Sequence, residues 1–144
     1  MKKLIVASFI LFGLAGCATV PMADDNQDAA AKKFAVASDK SGLYIFRNES
    51  MGAGVTMDVL LDGKPVGQTV AKTYIYKEVE PGKHSITSKS ENTDTIEVDA
   101  KPGTLVYVWQ EVKMGVLYAR TKLSVVGDYQ GKNGVRESKL IAVK

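Results

Sequence analysis

Between Leu43 and Val126 the apolar residues recur in short runs separated by turn residues. The runs are "LYIFR" (43–47), "VTMDVLLDG" (55–63), "KPVGQTV" (64–70), "TYIYKEV" (73–79), "HSITSKS" (84–90), "DTIEVDA" (94–100), "TLVYVWQEVK" (104–113) and "LYARTKLSVV" (117–126). Val, Ile, Thr and aromatic residues suit a pleated, half-buried surface. Period-two alternation sets Ile96 and Val98 against Thr95, Glu97 and Asp99. It also sets Ile75 and Val79 on one face with Thr73 and Lys77, opposite Tyr74, Tyr76 and Glu78. The stretch from Leu105 to Val112 is apolar on both faces for much of its length, which predicts a central strand.

The breaks between runs have their own chemistry. Asp62-Gly63 suits the positive φ angles of a type I′ hairpin. Glu80-Pro81-Gly82-Lys83 and Lys101-Pro102-Gly103-Thr104 place Pro and Gly where a type II turn requires them. Pro65 cannot donate to a ladder and predicts an edge strand over 64–70. With short turns and no long helical pattern, the expected fold is all-β, an antiparallel immunoglobulin-like sandwich of about 7–8 strands. At the C-terminus Asn133-Gly134 is a hairpin signal, "VRESKLIA" could instead form a helical turn, and a final strand is expected around Lys139 to Val143.

The N-terminus follows different rules. Lys2 and Lys3 precede the uncharged run "LIVASFILFGL" (4–14), and Ala15 and Gly16 lead into Cys17, the one cysteine of the chain. A positive start, a short apolar segment and small residues make a secretory signal peptide. The run is shorter than the roughly 20 residues a spanning helix needs. "LAGC" (14–17) resembles the lipobox of bacterial lipoproteins. That resemblance implies cleavage after residue 16, acylation of Cys17 and anchorage in membrane lipid. Ala18, where lipoproteins kept at the inner membrane often carry Asp, implies the periplasmic face of the outer membrane.

Residues 18–40, "ATVPMADDNQDAAAKKFAVASDK", hold few large apolar side chains and read as a flexible tether. About 23 residues of coil have an end-to-end distance of roughly 25–30 Å. A short helix over Gln27 to Ala37 competes with that reading, because the stretch is rich in helix formers. The expected organisation is a signal peptide at 1–16, a lipidated cysteine and tether at 17–40, and a sandwich domain at 41–144.

Charge narrows the function. Without Lys2 and Lys3 the 19 basic side chains fall to 17 against 16 acidic, a balance of +1. The lysines are scattered among acids, so no nucleic-acid footprint is expected. With the thiol of Cys17 blocked by lipid, no internal disulfide can form, and the domain must be held by its core.

The stretches "SGLYIFRNESMGAGVTMDVLLDGKPVGQT", "YIYKEVEPGKHSIT" and "PGTLVYVWQEVKMG" are similar to a bacterial lipoprotein family labelled domain of unknown function 2846, over most of residues 41–126. The Pro-Gly-Lys-His turn is also similar to PEGA-type β-sandwich modules. The family resemblance implies an immunoglobulin-like sandwich on a lipid anchor and supplies no catalytic residues.

The residues themselves offer little enzyme chemistry. His84 is the one histidine, so a Ser-His-Asp triad would have to use it, and its place after a Pro-Gly turn suits a surface strand start. One His and one blocked Cys make zinc, copper and haem sites improbable. Glu91, Asp94, Glu97 and Asp99 lack the spacing of a calcium loop. "GAGVTM" (52–57) has neither the Gly-Lys-Ser/Thr nor the following helix of a phosphate loop. No cofactor is expected. Tyr74, Tyr76, Tyr107 and Trp109 form a candidate sugar- or peptide-binding face if exposed, and a core face if not. The loop Met51 to Gly54 and the turn at Met114-Gly115 are further candidates, since sandwich-end loops commonly carry recognition. The expected function is a non-enzymatic binding or envelope-accessory role with an envelope protein partner. The alternatives are an enzyme acting on cell-wall glycan or peptide, or a subunit of a larger envelope complex joined through an open strand edge.

Overall fold

In the computed structural model, residues 19–143 are described; the stretch read as a signal peptide and Cys17 lie outside them. Nine strands and two helices follow in order: α1 (Asp25–Ala31), β1 (Ser41–Arg47), β2 (Met57–Leu61), β3 (Lys64–Thr69), β4 (Thr73–Val79), β5 (Gly82–Lys89), β6 (Thr93–Ala100), β7 (Leu105–Met114), β8 (Ala119–Val126), α2 (Asp128–Arg136) and β9 (Lys139–Leu140). They form an all-β sandwich of a five-stranded sheet, β8-β7-β1-β4-β9, and a four-stranded sheet, β3-β2-β5-β6.

The turn chemistry is realised at two of the three sites. At the third, Gly82 takes φ 130° and already opens β5 opposite Ala100, with no bond from the Lys83 N–H to the Glu80 carbonyl to close a type II turn. Asp62 and Gly63 take φ of 51° and 78° in the β2–β3 hairpin, as a type I′ turn requires. Gly103 sits at φ 70°, and the Thr104 N–H reaches the Lys101 carbonyl at 3.3 Å. β3, with its proline, is an edge strand as expected. β7 is an interior strand, but the middle position of its sheet belongs to β1, all seven of whose residues are buried.

Complete burial of β1 follows from cover on both faces. Leu43 and Ile45 join Ile75, Val108 and Leu123 against Val59, Val66, Ile86 and Val98 of the second sheet. Tyr44 and Phe46 point the other way, into a second core with Tyr74, Tyr107, Ala31, Val135 and Leu140 beneath α1 and α2.

Three expectations are corrected. The five-stranded sheet is mixed, because β1 pairs with β7 and β4 pairs with β9 in parallel. The second parallel pair has a plain cause: α2 crosses the outer face between β8 and β9 and returns the chain to run in the direction of β4. Asn133-Gly134 lies inside α2 and makes no hairpin, although the final strand does form, as the two residues of β9.

The tether reading of residues 17–40 does not hold over residues 21–34. Met22 bridges Ile141, with the Ala142 N–H on the Pro21 carbonyl (2.9 Å) and the Ala23 N–H on the Leu140 carbonyl (3.1 Å). α1 opens with a reciprocal Asp24–Gln27 capping box. Tyr44 donates to the Ala31 carbonyl (2.7 Å), and the Asp28 carboxylate takes bonds from Lys32, the Tyr74 hydroxyl (2.8 Å) and the Leu140 N–H (3.0 Å). Burial alone raises the Asp28 pKa, but these donors outweigh it and hold the carboxyl below its usual range. A seven-residue helix that would be marginal alone is fixed by tertiary contacts.

Candidate functional site

β7 and β8 form a hairpin whose tip, Met114-Gly115-Val116-Leu117-Tyr118, projects from one end of the sandwich. Met114, Val116 and Leu117 are 86%, 90% and 85% exposed, and Tyr118 is 56% exposed. The tip is held from below. Glu91 accepts the Leu117 N–H at 2.7 Å and the Tyr118 N–H at 3.3 Å. A Cβ on Gly115 would lie 2.8 Å from the Ala119 backbone nitrogen and would displace the Glu91 carboxylate, so glycine suits the position.

The same support continues along the free edge of β8. Ser90 donates to the Ala119 carbonyl (2.7 Å). Asn92 both donates to the Thr121 carbonyl (2.9 Å) and accepts its N–H (2.8 Å), and Asp94 accepts the Leu123 N–H (2.7 Å). Side chains of 90–94 thus take the place of a neighbouring strand at residues 119, 121 and 123. An edge satisfied in this way is closed to pairing with another chain.

Loop 48–56 lies beside the hairpin because β7 runs parallel to β1 and both end there. Arg47, fully buried, donates to the carbonyls of Gly52 (2.7 Å), Val55 (2.8 Å) and Thr69 (3.3 Å). Burial lowers its pKa, with Glu49 acting in the opposite direction. Glu49 accepts the Val112 N–H (2.8 Å), and Gly52, at φ 69°, stands against Val112 and Ala119 at the hairpin base. Met51, 56% exposed, extends the apolar surface on this side.

Under the loops runs a buried polar chain. The Thr69 hydroxyl donates to Gln110 Oε1 (2.5 Å), Gln110 Nε2 donates to Ser88 Oγ (2.6 Å), and Ser88 shares a hydrogen bond with Thr121 (2.7 Å). With Arg47 it alternates between the two sheets, tying them together at the loop-bearing end.

The four aromatic residues of the candidate binding face do converge, but under cover. Tyr76, Tyr44 and Tyr107 are register neighbours across β4, β1 and β7, and so are Tyr74, Phe46 and Trp109. Tyr44 and Tyr107 stack with centroids 5.2 Å apart, and Phe34 packs on Tyr44 at 5.6 Å. Tyr74 and Tyr107 are buried, and Tyr76 and Trp109 are partly buried against the same core. Of the two readings of this face the structure takes the core one, for α1 and α2 occupy it. Burial pushes the Tyr107 hydroxyl up to about 12 and the hydroxyls of Tyr44 and Tyr74 higher still.

The acids considered for calcium are engaged elsewhere. Glu91 and Asp94 hold β8, Glu97 pairs with Lys83 and Asp99 with Lys101. Among the described residues no group of three His, Cys, Asp or Glu side chains is placed to hold a metal. His84 sits between Asp62 and the Glu80 carbonyl. Two clefts flank β9: one of about 440 Å³ lined by Val20, Pro21, Leu60, Pro65 and Ile141, and one of about 430 Å³ lined by Ala23, Ala30, Ala35, Tyr76 and Val143. Within the described residues no helix is long and apolar enough to cross a membrane.

The sequence pointed to Met51–Gly54 and Met114-Gly115, which the structure brings to one end. It missed Val116, which falls in none of the runs, and Leu117 and Tyr118, which open the run read as a strand. The available signal was an apolar run continuing across a glycine at the place where the hairpin must turn.

Fold and surface together define an all-β sandwich with one helix-covered sheet and a rigid apolar hairpin tip. The chain belongs to the family described as protein of unknown function (DUF2846), whose profile matches residues 37–122. It is 32% identical over 125 residues to an uncharacterized protein of Haemophilus influenzae, an alignment covering 85% of this chain and 74% of that protein. No solved structure matches.

Proposed function

We propose that the chain is an envelope lipoprotein, held by acylated Cys17 at the periplasmic face of the outer membrane, whose sandwich is a non-enzymatic binding module. The observation that carries the binding reading is the hairpin tip. Large apolar side chains stand in solvent on a backbone fixed by Glu91, and monomeric domains seldom leave such a patch without use. The polar side chains of the types catalysis uses are engaged in holding the fold: His84 between two acceptors, Glu91 and Asp94 on the β7–β8 hairpin, and Asp58 on Gln68.

The anchor reading rests on "LAGC" and the short apolar run before it. Pro21 is already bonded to the domain, so four residue steps separate it from Cys17, roughly 14 Å when extended. An anchored domain would therefore sit close to the lipid surface. Residues 20–22 run antiparallel to β9, so the chain traced back from Met22 heads toward the end bearing Ser41 and Val79, opposite the tip.

The alternative of a subunit joined through a strand edge is favoured by β3, whose outer edge has no backbone partner among the described residues and faces the larger cleft. Labelling cells with palmitate and fractionating their membranes tests the anchor. The wild-type chain incorporates label and sediments with outer membrane, whereas Cys17→Ser does neither. Equal behaviour of the two chains rules out lipidation at Cys17.

A further inference from the structure

Lys113 and Arg120 face each other across the β7–β8 hairpin, one residue below the Met114–Ala119 pair that closes it. Both are exposed. Like charges set directly opposite in a sheet are destabilising. Lys113 is relieved by Glu111 on its own strand (2.5 Å), but Arg120 has no acidic partner among the described residues. In the next pair on the same face, two residues further down, Glu111 faces Lys122, so the outer face beneath the tip carries three cations and one carboxylate.

We propose that this end docks into an apolar groove with an acidic rim on a partner protein, Val116 and Leu117 filling the groove and Lys113 and Arg120 pairing with the rim. This rests on reading the domain as a binding module, and adds where and what it binds. Three observations support it. The tip backbone is fixed before binding, which lowers the ordering cost of association. Tyr118, Arg120 and Met114 belong to residue types enriched at interfaces, Tyr and Arg being typical of the few that dominate affinity. An unpaired cation beside an exposed apolar tip finds its complement in an acidic surface, which steers encounter and fixes register. A membrane is the less fitting occupant, because the tip lies at the end opposite the direction in which the chain leads back to Cys17.

The test places a photo-crosslinking amino acid at Leu117 of the full chain in cells of its own host, with Tyr129 on α2 as an exposed control. The expected result is one discrete protein adduct at 117 and none at 129. Its yield falls about tenfold or more in Lys113→Glu/Arg120→Glu and by less in Lys113→Gln/Arg120→Gln, since several kcal/mol separate matched from like charge at an interface. The neutral pair also serves if the reversed pair fails to fold. No adduct at 117, an equal adduct at 129, indifference to charge, an adduct with the mass of two copies, or an adduct to phospholipid each overturns the proposal. Scoring the same cells for membrane retention separates the two readings: an adduct that persists in a chain found free of membrane refutes the anchor and leaves the docking site standing.

Discussion

The imidazole of His84 bridges two turns, with Nδ1 2.6 Å from Asp62 Oδ2 and Nε2 2.6 Å from the Glu80 carbonyl. Both partners are acceptors, so the arrangement is complete only when both ring nitrogens carry protons. Burial pushes the His84 pKa down, but the bonds to Asp62 and Glu80 outweigh it and raise the value. Asp62 is held below its usual range, because the bonds from His84 and the Ser85 N–H outweigh its own burial.

The pH dependence follows from those two directions. A raised histidine pKa adds stability that is full below its unfolded value, about 6.5, and is lost as pH rises through the folded value. A lowered Asp62 pKa adds stability present above its unfolded value, about 3.9, and lost as pH falls through the folded one. The advantage of wild type over His84→Gln is therefore greatest between about pH 4 and 6.5 and shrinks toward pH 8.5. Thermal unfolding across that range checks it; a difference independent of pH contradicts it.

Helix α2 can approach the sheet only because Gly131 and Gly134 carry no side chain. A Cβ at either would lie 2.1 Å from the Tyr107 or Phe46 ring. On an exposed helix Gly→Ala gains about 1 kcal/mol. Here the sign reverses, and Gly131→Ala or Gly134→Ala loses about 1–3 kcal/mol by overpacking. Denaturant titration decides between the two signs.

Tyr44 and Tyr107 stack on each other but differ at the hydroxyl. Tyr44 bonds to the Ala31 carbonyl, whereas the buried Tyr107 oxygen has no partner among the described residues. Tyr44→Phe should cost about 1 kcal/mol and loosen α1, while Tyr107→Phe should be neutral or stabilising. Amide exchange over Asp25–Ala31 shows whether the first change frees the helix.

Gln110 links both sheets through Thr69 and Ser88. Gln110→Leu leaves the buried Thr69 hydroxyl without its side-chain partner and Ser88 with Thr121 alone, at a cost of about 1–3 kcal/mol. Arg47→Met removes the donor to Gly52 and Val55, and limited proteolysis should then cut within 48–56 before the rest of the domain unfolds.

Much of the β framework was legible because its signals are local. Asp62-Gly63 and Pro102-Gly103 mark turns by backbone chemistry alone, and the alternation of Ile96 and Val98 sets the buried face of β6. The helices were legible only as alternatives, a short one over Gln27 to Ala37 among them, because tertiary contacts make them. Gly131, Asn133 and Gly134 are poor helix formers, and the first and last serve the close approach to Tyr107 and Phe46. The Asp24-x-x-Gln27 capping box was a readable start for α1, but composition suggested a tether, and only Tyr44, Tyr74 and Leu140 show what the helix rests on. The hairpin end was half visible. Its glycines stood out, whereas the opposition of Lys113 and Arg120 requires the register of β7 on β8.

The central claim is that the hairpin tip serves recognition and not the fold. Its most direct test is the crosslinking pattern of the full chain in living cells, with the photo-crosslinking residue moved to Tyr118, comparing the otherwise wild-type tip with Val116→Ser/Leu117→Ser. The double variant should unfold within about 0.5 kcal/mol of wild type, since these side chains touch little. The account predicts a protein adduct in wild type that the variant loses while remaining folded and in the membrane. An adduct retained unchanged by the folded variant would contradict it.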